Sequence, residues 1–158
     1  MTQATPMLRQ YLRIKDRHPD AILFFRMGDF YEMFFEDAET AARLLGITLT
    51  SRGMHEGKKV PTCGVPYHSA RAYVVRLVEQ GRKVAICEQV EDPRSAKGIV
   101  QREVTRVVTP GSLMEGDEQA RAQNVFMAAV ASEPGCWGIA HLDLSTGEFR
   151  VTEVTTRE

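Results

Sequence analysis

Phe24-Phe25-Arg26-Met27-Gly28-Asp29-Phe30-Tyr31-Glu32-Met33-Phe34-Phe35 holds five of the seven phenylalanines in the chain. Its first part, from Ala21 to Met27, is apolar except for Arg26 and reads as a buried strand. After Gly28, Asp29 and Glu32 form a D-x-x-E variant of the capping box. Tyr31, Phe34, Phe35, Ala38, Ala41, Ala42 and Leu45 then recur at helical spacing up to Gly46, so the pattern predicts a helix from Asp29 to Leu45. In that helix Phe30 sits at the margin of the apolar face, about 80° from its centre at 100° per residue. Glu32 and Met33 point still further from the core. Phe30 then has two readings: a core ring at the edge of an aromatic cluster, or a wedge presented beside a hydrogen-bonding carboxylate.

Working outward, Pro6 to Arg17 has Leu8, Tyr11 and Leu12 spaced for a short amphipathic helix that closes before Pro19. Ile47 to Arg52 reads as a strand, Gly53 to Val60 as a polar loop, and Pro61, Gly64 and Pro66 as a turn. Ser69 caps a helix whose buried face is Tyr73, Val74, Leu77 and Val78 and whose stop is Gly81. Lys83 to Gln89 and Val104 to Thr109 read as strands on either side of a charged loop from Glu91 to Gly98. The expected fold class is α/β, a small mixed-sheet domain flanked by helices. Gly111 to Gln123 is polar and acidic, as a linker is. Beyond it Val125 to Ala131, Gly138 to Leu144 and Glu148 to Val154 read as strands, the last two joined at Ser145-Thr146-Gly147. Three strands without a covering helix leave a face and an edge bare, so the chain is expected to end inside a second domain.

Composition narrows the function classes. A chain of 158 residues, 43% hydrophobic and 26% charged, is an ordinary globular one. No apolar stretch approaches the roughly 18 residues of a membrane span, and the first residues lack a secretory signal, so a cytoplasmic location without membrane contact is expected. Cys63, Cys87 and Cys136 are odd in number and widely spaced, which argues against a disulfide framework, and the histidines make no metal pattern with them. The net charge of −1 hides a gradient: residues 1–51 carry 6 Lys/Arg and 7 Asp/Glu, residues 52–106 carry 11 and 6, and residues 107–158 carry 3 and 8. The basic middle block is able to face phosphates or simply to form a solvated surface.

Three motifs bear on catalysis. Asp29, Glu32, Glu36 and Asp37 are candidates for a metal-binding carboxylate cluster, yet Glu36 and Asp37 diverge by about 100° around a helix axis and early acids suit the helix dipole. Gly53 to Lys59 resembles a phosphate-binding loop but is one residue short and has Lys59 where Ser or Thr must reach magnesium. Asp143, at a strand end before a hairpin, fits a ribonuclease H-like acid but needs further carboxylates. Cys63 and His68 share a turn without making a nucleophile pair. No catalytic, metal or cofactor site is therefore expected. The alternatives kept open are a metal-dependent nuclease using Asp143 and the acids of 29–37, and a protein-interaction module using Tyr67, Tyr73 and the 125–131 strand.

The stretch F-F-R-M-G-D-F-Y-E-M-F, with C-G-V-P-Y-H at 63–68, A-I-C-E-Q-V at 85–90 and V-T-P-G at 108–111, closely resembles the N-terminal part of the bacterial MutS family of DNA mismatch-recognition proteins. The resemblance implies a mismatch-recognition domain over 1–113, a linker over 114–123, and the truncated start of a ribonuclease H-like connector domain over 124–158. The family's Phe-x-Glu motif falls on Phe30 and Glu32. It implies that Phe30 wedges at a mispair from the minor groove with Glu32 hydrogen-bonding the base; since phosphates repel an ionised carboxylate, Glu32 is expected to be neutral in the complex and to donate that bond. Arg52, Lys58, Lys59, Arg71, Lys97, Arg102 and Arg106 become candidates for phosphate contacts. The resemblance further implies a bacterial, nucleoid-associated homodimer that works on mismatched or looped duplexes with other mismatch repair proteins. Its ATPase domain, with ATP and magnesium, would lie beyond Glu158, so this chain is expected to be a binding module and not an enzyme.

Overall fold

The structure, a computed structural model, describes residues 4–91, 98–110, 126–144 and 146–155. The chain divides into two compact units, Met1–Thr109 and Pro110–Glu158. The first is built on a six-stranded mixed sheet flanked by three α-helices. Its elements are α1 (Pro6–Lys15), β1 (Ala21–Met27), β2 (Phe30–Phe34), α2 (Phe35–Leu45), β3 (Thr50–His55), β4 (Lys58–Pro66), α3 (Ala70–Glu79), β5 (Lys83–Gln89) and β6 (Arg102–Val108). The strand order is β3-β4-β2-β1-β5-β6, and only the β1–β5 pair is parallel. The α/β class read from the sequence holds.

The main departure lies in the opening stretch. Residues Phe30 to Phe34 are not the first turn of a helix but a strand that pairs with β1 and with β4. Met27 faces Phe30 across a two-residue turn in which Gly28 takes φ +59°, the place where a tight hairpin favours glycine. Asp29 is therefore a turn residue, not a helix cap. The helix starts at Phe35, whose own φ is +53°, an uncommon left-handed value for an aromatic residue at the point where strand becomes helix. The expected stop at Gly46 is present in left-handed form. Two further expectations change in the same way. Gly53 to Val60 is not a loop: β3 and β4 form a hairpin turning at Glu56-Gly57, and Pro61 to Pro66 continues β4. Ser69 precedes α3, but its hydroxyl donates to the Pro66 carbonyl instead of capping.

Alternation along the strands sorts the side chains onto two faces. Leu23, Phe25, Phe34, Val60, Ala85 and Cys87 meet Leu8, Tyr11 and Ile14 of α1 in one buried cluster. On the opposite face Met33 and Cys63 lie beside α2, where the Cys63 thiol donates to the Ala38 carbonyl. Arg76 of α3 donates to the Leu45 carbonyl and ties α3 to α2.

Asp37 joins three elements. Its buried carboxylate accepts from the Tyr11 hydroxyl at 3.0 Å, from the Leu23 amide at 3.0 Å and from Lys15 at 2.9 Å. The Leu23 amide lies where β1 has passed the end of its pairing with β2, so Asp37 supplies the acceptor that the sheet does not. Burial, and then Asp37, push the Tyr11 phenol far above its ordinary value, which keeps it a donor.

The second unit holds β7 (Phe126–Glu133), β8 (Cys136–Asp143) and β9 (Phe149–Thr155), an antiparallel meander in that order. Its Phe126, Val130, Trp137, Phe149 and Val151 side chains are exposed. The linker expected over 114–123 lies outside the described residues. Among the described residues no helix is long and apolar enough to cross a membrane.

Asp37→Ala leaves the buried Leu23 amide without its acceptor and takes one of two acceptors from the Tyr11 hydroxyl and from Lys15, which keep the Phe34 and Ala21 carbonyls, and is expected to destabilise the first unit by about 1–3 kcal/mol in urea denaturation. The two buried thiols set an alkaline limit. Burial raises Cys63 from 9.0 to about 11 and Cys87 from 9.0 to about 12. Ionisation then favours the unfolded chain, so their contribution to stability is complete below pH 9 and is lost as pH climbs toward 11 to 12. Replacing both cysteines by alanine should flatten that part of the pH profile.

Candidate nucleic-acid interface

Strand β2 decides the geometry of the site. Residues two apart in a strand share a face, so Phe30 and Glu32 project side by side, whereas Tyr31 and Met33 turn the other way. Phe34, on the same face as Phe30 and Glu32, is buried with α1, but the face runs out from under the helix before Phe30. Phe30 is 46% exposed. Of the five phenylalanines in the opening stretch, Phe24, Phe25 and Phe34 are buried, Phe35 is partly buried against the core, and Phe30 is the one presented to solvent.

A cleft of about 280 Å³ lies beside it, lined by Phe30, Glu32, Thr50, Arg52, Thr62 and Gly64 among others. Gly64 sits opposite Glu32 on β4. A side chain there would begin 3.5 Å from the Glu32 Cγ and 3.2 Å from the Tyr31 carbonyl oxygen, so glycine keeps the space beside the carboxylate open. One Glu32 oxygen, Oε1, accepts from Arg52 at 2.6 Å. The other, Oε2, is buried without a hydrogen-bond partner. A shielded acceptor next to an exposed ring is a site prepared for a ligand that offers both a hydrogen-bonding edge and a flat face.

The turn that carries Phe30 is held from behind. The Tyr67 amide donates to the Asp29 carbonyl at 2.8 Å. The Arg26 guanidinium lies 3.8 Å from the centroid of the Tyr67 ring, donates to the Gly28 carbonyl at 2.5 Å and pairs with Glu88 at 3.5 Å. Tyr31 donates to the same Glu88, and burial followed by Glu88 raises its phenol to about 12. Of these residues the sequence pattern points to Asp29, Tyr31 and Tyr67 for other roles, and to neither Arg26 nor Glu88 for any. The signal that was available is the glycine in C-G-V-P-Y-H, placed within a strand instead of a turn.

The candidate phosphate contacts are scattered. Arg52 is drawn to Glu32. Lys58 and Lys59 are exposed at the β3–β4 turn, eight and seven residues along β4 from the Pro66 that faces Phe30, or about 26 and 23 Å away in an extended strand. Arg71 lies in the first turn of α3 and Arg106 on the edge strand β6, both exposed. Lys97 lies outside the described residues. Arg102 differs from the other candidates: it is buried, stacked 4.8 Å from the Phe25 ring centroid, and donates to the Arg26 and Val100 carbonyls and to the Gln10 side chain. It joins α1 to β1 and β6, a structural role in place of an exposed charge. The carboxylate cluster also disperses, since Asp37 is buried with Lys15, Glu32 holds Arg52, and Asp29 and Glu36 are exposed. Among the described residues no three His, Cys, Asp or Glu side chains stand together as metal ligands.

The family model described as MutS domain I matches residues 5–117 of this chain. The chain belongs to the MutS domain I family. Three relatives, each called DNA mismatch repair protein MutS, support the assignment at close range. The protein of Syntrophomonas wolfei subsp. wolfei is 61% identical over 154 residues, covering 98% of this chain, and that of Desulfatibacillum aliphaticivorans is 61% identical over 156 residues, covering 99%. The protein of Geobacillus thermodenitrificans is 56% identical over 159 residues, covering 100% of the chain. In each case the match spans 18% of the relative's own length.

Exposure separates the rings of this MutS domain I by what their removal costs. Phe30→Ala is expected to change the unfolding free energy by less than about 0.5 kcal/mol, as at other exposed positions. Phe34→Ala, by contrast, empties a buried ring site and should cost about 3–5 kcal/mol. Urea titrations of the two variants check the difference.

Proposed function

We propose that this chain is the part of a bacterial mismatch repair protein that recognises mispaired or looped positions in double-stranded DNA, by binding and without chemistry of its own. The observation that carries the reading is Phe30: an aromatic ring left outside the core of its own cluster, on the same strand face as a carboxylate, in a chain of the MutS domain I family.

The physics of the target suits that pair. A mispair is stacked and held less well than its neighbours, so bending and unstacking the duplex costs less there than at a matched pair. Phe30, entering from the minor groove, stacks on one mispaired base, replaces part of the lost stacking and holds a kink. A ring reads any base face, so the defect and not the sequence is recognised. Glu32, beside the ring, hydrogen-bonds an edge of the displaced base and adds orientation. Arg71, Arg106, Lys58, Lys59 and Lys97 are candidates for phosphate contacts, the hairpin lysines standing about 23–26 Å from Phe30 along β4.

The remaining properties belong to the same proposal. The second unit is the start of a ribonuclease H-like connector domain, following a mismatch-recognition domain over 1–113 and a linker over 114–123. The intact protein is a homodimer that acts with other repair proteins in the bacterial cytoplasm, at the nucleoid, and its ATP and magnesium are bound by a part of the protein other than this chain. The relatives' printed name supports the mismatch repair setting, and their greater length supports a protein that is larger than the matched segment.

Binding of the intact protein to matched and mispaired duplexes, followed by fluorescence anisotropy, provides the test. Phe30→Ala should weaken binding to the mispaired duplex by about 1–3 kcal/mol, leaving it equal to binding of the matched one. Glu32→Gln, which keeps a hydrogen-bonding edge, should retain more mismatch preference than Glu32→Ala. An undiminished preference in Phe30→Ala contradicts the reading.

A further inference from the structure

Arg52 differs from the other candidate phosphate contacts in where its charge goes. It lies in a bulge of β3: Ser51 faces Pro61 and Met54 faces Lys59, so Arg52 and Gly53 together oppose Val60 alone. Gly53 takes φ +73°, the left-handed backbone that such a bulge uses to redirect its neighbour. The Arg52 guanidinium meets Glu32 Oε1 at 2.6 Å and is a lining group of the cleft that also holds Phe30. The arginine side chain is 62% exposed and the glutamate side chain only 16% exposed. Charge is therefore supplied from the solvent side to a shielded carboxylate.

We propose that Arg52 is a positioning residue that acts through Glu32, serving as the counter-ion that lets an acidic side chain stand beside DNA and fixing which of its oxygens faces the base. This rests on the mismatch-recognition reading above. Glu32 comes up against the duplex only when Phe30 has entered a mispair, and there an unpaired carboxylate is repelled by the flanking phosphates. With Arg52 attached, the pair is neutral overall and the repulsion is cancelled at short range. The same contact occupies Oε1 and leaves Oε2, buried and without a partner, to accept from the mispaired base as part of an ionised carboxylate, in place of the neutral donor expected from the sequence. Arg52 thereby contributes to discrimination between paired and mispaired sites, and not to general affinity for the backbone.

The two roles leave different signatures in the binding of the intact protein to matched and singly mispaired duplexes across a salt series. A counter-ion role requires Arg52→Ala to weaken mispaired binding about tenfold, as loss of a hydrogen bond to a charged group does, while matched binding and the salt slope stay unchanged. Arg52→Lys, which keeps the charge without the fork, should recover part of the loss. In a Glu32→Gln background, where no carboxylate needs neutralising, Arg52→Ala should have little further effect. The proposal is overturned if Arg52→Ala weakens both duplexes alike and lowers the salt slope by about one, the mark of a phosphate contact. It is equally overturned if the Arg52 and Glu32 substitutions add independently. A wild-type protein that does not prefer the mispaired duplex overturns the functional reading itself, so the two failures are distinct.

Discussion

The pairing of β2 with β1 on one side and β4 on the other is the constraint on which the rest of the site depends. It holds Phe30 to Phe34 in extended form, and a period of two then puts Phe30 and Glu32 on one face. In a helix the same two residues would stand about 200° apart. They could not then meet one ligand together. The turn at Gly28-Asp29 is what allows the pairing, and the Tyr67 amide and the Arg26 guanidinium hold that turn from outside the strand.

The fold separates the part that bears load from the part that reads. Asp37 gathers α1, β1 and α2 at one place, and Arg102 does similar service between α1, β1 and β6. Both are charged side chains whose partners are internal. The exposed ring and the shielded carboxylate lie where the α1 cover has ended. Rigid strands position them, and the glycine opposite Glu32 keeps the approach clear.

Much of this architecture was legible in the amino-acid pattern. The α1, β1, α3 and β5 segments follow hydrophobic period and their stop signals, and the end of α2 is marked by Gly46. The error at Asp29 has a definite cause. Tyr31, Phe34, Phe35 and Ala38 fit helical spacing, and D-x-x-E imitates a cap, but Gly28-Asp29 between apolar runs is also a tight-turn signal, and pairing on both sides of β2 outweighs the local pattern. Arg102 could not have been placed from sequence alone, because its acceptors are Gln10 and the Arg26 carbonyl, 92 and 76 residues away along the chain. At the site, residue spacing left Phe30 open between core and wedge, and only the family resemblance chose. Its exposure, and the bulge that turns Arg52 toward Glu32, are properties of the folded sheet.

A tryptophan at position 30 is the most direct probe of the ring's contact with a mispair. In the intact protein carrying Phe30→Trp, with Trp137 and every other tryptophan replaced by phenylalanine, the emission at position 30 should be quenched, to saturation, by a duplex with one mispair. A matched duplex at the same concentration should leave it nearly unchanged. Equal quenching by both duplexes, or binding of the mispaired duplex with no change in emission, would contradict a ring that reads the defect by stacking into it.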